Sequence, residues 1–109
     1  MNNPSWQNKS TDSLFQAILK LQNKNEAQRF FRDLLTEEEI KEFSARWQVA
    51  QMLAKKIPYS QIEIQTGMST TTIARISKWL NNGMNGYKLI IDRLDSPHLI
   101  HTQDKSEAD

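Results

Sequence analysis

The chain has 109 residues, 38% apolar content and no cysteine, which bounds it to one domain with a modest core of its own and excludes a disulfide framework or thiolate chemistry. No apolar run is long enough to span a bilayer or act as a signal peptide, so the cytoplasm is the default compartment. The net charge of +1 hides an uneven placement: residues 1–45 hold six basic and seven acidic groups, residues 46–93 seven and two, and residues 94–109 one and four.

Residues 1–9, MNNPSWQNK, are polar with an early proline and read as a flexible arm with Trp6 as its candidate anchor. Ser10 or Thr11 opens a helix in which Leu14, Ile18 and Leu21 form one stripe with Phe15 and Leu19 beside it, ending at Asn23 to Asn25. Asn25 caps a second helix whose Ala27, Phe30, Phe31 and Leu34 share a face. This pair is strongly apolar for its size and finds no partner of matching size elsewhere in the chain, which points to a second copy of the protein.

Thr36 to Glu39, TEEE, is a capping box with three acids in the first turn, where the helix dipole favours them. No histidine lies near these carboxylates, so capping is a better reading of them than metal binding or catalysis. The long helix that follows runs to about Lys56, with Ile40, Phe43, Trp47, Ala50 and Ala54 on one side and Val49, Met52 and Leu53 on another, the pattern of a central helix buried on more than one side. Pro58 stops it and leaves Lys55 and Lys56 exposed.

Tyr59 to Leu80, YSQIEIQTGMSTTTIARISKWL, reads as two short helices around a tight turn. Ser60 is placed to cap the first, with Glu63 completing a capping box, and Gly67 ends it at a position suited to positive φ. Met68 fills the corner. Ser69 or Thr70 caps the second helix, whose Ile73, Ile76 and Leu80 fall at i, i+3 and i+7. At about 100° per residue, Thr71, Arg75 and Lys78 point away from that stripe, with Thr70 and Thr72 on the flanks. Hydroxyls lead and cations follow, which suits a helix entering the DNA major groove N-terminus first. The alternative at this point is a solvated helical hairpin. The surrounding segment, residues 46–93, is net +5, the electrostatic footprint of a small DNA reader.

Beyond Leu80, NNGMNG is rich in residues that favour positive φ and is expected to be a loop, and Tyr87 to Leu94 make a last helix with Leu89, Ile90, Ile91 and Leu94 inward. Residues 95–109 read as a disordered acidic tail in which His98 and His101 are solvated rather than metal ligands. No nucleophile–base pair, glycine-rich phosphate loop or metal spacing occurs, so the chain is not expected to be an enzyme or to carry a cofactor.

The order of LLTEEEIKEFSARWQVAQMLAKK, YSQIEIQTGMSTTTIARISKWLNNG and GYKLIIDRL resembles the Trp repressor superfamily, and within it the YerC/YecD group of Trp repressor-like proteins. The resemblance spans Leu14 to Leu94. It implies an all-α, six-helix domain over residues 10–94 that interlocks with a second copy, and a regulator of transcription that binds double-stranded DNA. Carried over by position, Thr70, Thr71 and Ala74 match the base-reading side, which makes Ser69, Thr70, Thr71, Thr72, Ala74, Arg75 and Lys78 the expected DNA-binding set. Thr36, Arg46 and Arg75 match positions that surround the amino-acid corepressor in the tryptophan-sensing member. Two departures stand out: cations of that member's first helix-turn-helix helix are replaced by Ser60 and Glu63, and the glycine after its pocket arginine is Ile76. The first lowers phosphate affinity and the second makes L-tryptophan an unexpected effector. The leading expectation is a dimeric DNA-binding repressor. The alternative is a helical protein-docking module with a degenerate helix-turn-helix.

Overall fold

The computed structural model describes residues 4–95, which form α1 (Lys9–Ile18), α2 (Lys24–Leu34), α3 (Glu37–Ala54), α4 (Tyr59–Thr66), α5 (Thr70–Asn82) and α6 (Gly86–Asp95). No strand occurs among the described residues. The expectations for the acidic tail beyond Asp95, with His98 and His101, lie outside them. The chain divides into two compact units with the boundary inside α3, between Glu42 and Phe43.

In the first unit α1 starts earlier than the sequence pattern indicates. Asn8 is its cap: Asn8 Oδ1 accepts from the Thr11 amide at 3.0 Å, and Thr11 Oγ1 accepts from the Asn8 amide at 3.0 Å. Two polar residues thus close both ends of one turn, and α1 begins at Lys9, the last residue of the segment expected to be a flexible arm. Trp6 meets Phe15 edge to face, with centroids 6.4 Å apart. Asn23, rather than Asn25, caps α2 by accepting from the Glu26 amide at 2.9 Å. The capping box at the start of α3 is as expected, with the Thr36 amide donating to Glu39 at 2.9 Å and the Glu39 amide to Thr36 Oγ1 at 3.1 Å. Neither α1 nor α2 contains a buried residue.

The second unit holds the core. Val49, Ala50, Met52 and Leu53 from α3, Ile62 from α4, Ile73, Ile76 and Leu80 from α5, and Ile91 from α6 pack as one cluster. Trp47 stacks on Tyr87 at 6.2 Å beside it. α3 ends at Ala54, short of the expected Lys56, because Lys56 takes a left-handed conformation with φ 65°. The Ile57 amide donates to the Met52 carbonyl and the Lys56 amide to the Leu53 carbonyl, the bond pair that closes a helix at a residue usually glycine.

α4 is capped differently from expectation. Pro58 is its N-cap, with no side-chain cap bond, and its carbonyl accepts from the Gln61 and Ile62 amides, both at 3.1 Å. Proline has no N–H to satisfy and a φ already suited to entering a helix, so α4 begins before Ser60 and the Ser60–Glu63 box does not form. At the other end of α5, Asn81 and Asn82 stay helical, and of the expected loop residues only Asn85 has positive φ. α6 turns Ile91 inward, whereas Leu89, Ile90 and Leu94 are exposed. Four nearly consecutive apolar positions span more of a helix circumference than one neighbour covers.

Candidate nucleic-acid interface

The turn between α4 and α5 is set by Gly67, Thr66 and Ser69. Gly67 ends α4 at φ 76°, with its amide donating to Glu63 O at 2.9 Å. That backbone region strains any residue with a Cβ, and no neighbour approaches closely enough to add a steric reason. Thr66 Oγ1 donates to Ile62 O at 2.7 Å and accepts from the Met68 amide at 3.2 Å, pinning both sides of the corner. Sequence reasoning missed this residue; the available signal was a hydroxyl directly before the terminating glycine. Ser69 caps α5, accepting from the Thr72 amide at 3.2 Å and donating to Thr72 Oγ1 at 3.1 Å.

With its start fixed in this way, α5 has two unlike faces. Ile73 and Ile76 have no exposed surface and Leu80 has 6%. Turned away from them, Thr70, Thr71, Ala74, Arg75 and Lys78 are exposed. Among the described residues none of the Thr70, Thr71, Arg75 or Lys78 side chains has a hydrogen bond or ion pair. The hydroxyls and cations are therefore available to a ligand without breaking an internal contact. Thr72 is half-buried and engaged with Ser69, which makes it part of the cap as well as part of the expected set.

The positions matching a corepressor pocket are placed as follows. Thr36 belongs to the first unit and spends its hydroxyl on the α3 cap. Arg46, in the second unit, lies over the Phe43 ring at 5.6 Å. Arg75 is on the exposed face of α5, and its neighbour Ile76 is wholly inside the core.

The sequence model of the Trp repressor protein family matches residues 9–95. The chain belongs to the Trp repressor family. Within it, the uncharacterized protein YerC of Bacillus subtilis is 43% identical over 86 residues, which cover 79% of this chain and 83% of YerC. The crystal structure of a TrpR-like protein from Eubacterium eligens is similar at a TM-score of 0.81 and 40% identity, covering 86% of this chain and 97% of that one. A solved structure from Staphylococcus aureus gives a TM-score of 0.77 at 41% identity, with coverages of 83% and 90%. The six helices of this Trp repressor family member and its α4–α5 helix-turn-helix are those the sequence resemblance implied. No helix among the described residues is long and apolar enough to cross a membrane.

Proposed function

We propose that this Trp repressor family member is a homodimeric, sequence-specific DNA-binding regulator, a transcriptional repressor, that lays α5 in the major groove. The observation that carries the reading is the division of α5: one side is locked in the core by Ile73, Ile76 and Leu80, and the other offers unpartnered Thr70, Thr71, Arg75 and Lys78. Threonines at the leading end suit base edges and thymine methyls, and the following cations suit phosphates. The surrounding net charge of +5 over residues 46–93 agrees with this. So does the family, one relative of which is described as TrpR-like.

Ile76 supports a regulator that does not respond to L-tryptophan. Ile76 is fully buried at the position where the resemblance places a glycine in the tryptophan-sensing member, and admitting an indole there would require displacing that packed side chain. Selection of bound fragments from random duplexes tests the central reading: a recurrent enriched site supports it, and recovery of unenriched sequence refutes sequence-specific binding.

A second reading, a protein-docking module, draws on α4, where Ile64 is 84% exposed beside the exposed Glu63. Duplex binding that weakens steeply with salt separates DNA recognition from docking to a protein.

A further inference from the structure

The proposed reading head has a gap. α4, with the sequence YSQIEIQT, carries no basic residue, so the helix beside the reading helix offers no cation to a DNA backbone. A major groove about 12 Å wide is walled by phosphates on both sides. A reader held by Arg75 and Lys78 alone would grip that backbone weakly.

The second unit provides cations next to this gap. A hollow of about 550 Å³ opens between the end of α3, the start of α4, α5 and α6, and it is lined by Lys56, Tyr59, Ser77, Asn81, Lys88 and Asp92, among others. On α5 it is lined by Ser77, Leu80 and Asn81, in the last turns of the helix. Ser77 and Asn81 flank the exposed Lys78 within one turn, so the hollow borders Lys78 and lies about 10 Å along the axis from the leading Thr70 and Thr71.

Lys56 occupies this wall at a conformational penalty. Its φ of 65° closes α3 in the geometry that glycine adopts without strain. Lys56 and Lys88 are exposed and form no ion pair among the described residues, and the Tyr59 hydroxyl is likewise unpartnered. Asn81, by contrast, turns its amide back onto Ser77 O at 3.0 Å and shapes the wall. Asp92 places one negative charge in the same hollow against the two lysines.

We infer that Lys56 and Lys88, together with the Tyr59 hydroxyl in the same hollow's lining, grip the DNA phosphate backbone beside the end of α5 and supply the contacts that α4 lacks. This inference rests on the DNA-binding reading above. The ligand is a backbone phosphate, so the contribution is independent of base sequence and sensitive to salt. Asp92 opposes it and limits non-specific affinity.

The test is the salt dependence of binding of the full chain to a mixed-sequence duplex, measured for the wild type and for Lys56→Gly, Lys88→Gln, Tyr59→Phe and Asp92→Asn. Each lysine variant should weaken binding and flatten the slope of log affinity against log salt by about 0.9 for every phosphate it no longer neutralises. Tyr59→Phe should weaken binding with the slope unchanged, and Asp92→Asn should tighten it. Lys56→Gly relieves the strained backbone, so its thermal midpoint should rise while DNA affinity falls, a combination that misfolding would not give. Wild-type slopes in both lysine variants overturn the grip while leaving DNA binding by α5 standing. A wild-type chain that binds no duplex at low salt overturns the DNA-binding reading and the grip together. Saturable binding of inorganic phosphate that both lysine variants abolish, with wild-type DNA slopes, would make the hollow a small-anion site instead and overturn the inference.

Discussion

Ile76 and Gly67 make opposite demands on α5 and its turn, one on volume and the other on backbone conformation. Ile76 has no exposed surface and sits one residue after Arg75, so the packing that fixes α5 also fills the position beside the arginine. Forcing an indole into a packed site of this kind costs roughly 1–3 kcal/mol, enough to remove much of a small metabolite's affinity. Isothermal titration with millimolar L-tryptophan should therefore give no saturable heat, and DNA affinity should be the same with and without it. Saturable heat together with tighter DNA binding would show that Ile76 leaves the pocket open. Gly67, at φ 76° with open space around it, is held by conformation alone. Gly67→Ala should lower stability by about 1–2 kcal/mol in urea unfolding, the left-handed penalty of a Cβ, with no further steric loss. A neutral substitution would mean that the turn relaxes to another geometry. The glycine was legible in the sequence because a glycine between two short helical patterns, just before the Ser69 cap, has few other readings. Lys56, with the same kind of backbone, was not, because nothing in a lysine announces positive φ.

At the level of the helices, local signals were readable where one residue pair decided the geometry and misleading where several competed. Thr36 and Glu39 form their box, and Ser69 caps α5. Ser60 does not cap α4, since Pro58 starts that helix first, and Asn8 caps α1 from within a stretch that composition marked as an arm. The α5 stripe was legible because its spacing allowed one buried face. The α6 run Leu89, Ile90, Ile91 and Leu94 left several, and only Ile91 is taken into the core. The candidate contact residues followed from α5, although the role of Thr72 as the partner of Ser69 depends on hydroxyl geometry that spacing does not encode. Two substitutions on α5 separate reading from gripping. Thr71→Ala should change which sequence is preferred, whereas Lys78→Ala should weaken all sequences alike and reduce the salt slope by about one unit. Binding profiles over a panel of duplexes check this, and equal losses at every site for both variants would place α5 on the backbone only.

The molecule as a whole needs more cover than one chain supplies. Phe15, Leu19 and Leu34 of the first unit are exposed, Leu19 at 82%, and no residue of α1 or α2 is buried. Ordering helices of this length requires apolar burial to offset conformational entropy, and a second copy presenting the same faces can provide it. Sedimentation at micromolar concentration should show a dimer, and Phe31→Asp should lose dimer and fold together. A folded monomer would contradict this. The apolar faces of α1 and α2 were visible in the sequence, but their partner was not, since periodicity marks a face for burial without naming what covers it. The most direct test of the central claim, that α5 reads DNA, is a fluorescence-anisotropy titration of the wild-type chain against its selected duplex and a scrambled one over a range of salt. Binding to the selected duplex should be tighter, and for both duplexes log affinity should fall linearly with log salt. Binding to neither duplex at low salt, or an affinity that does not change with salt, would contradict that claim.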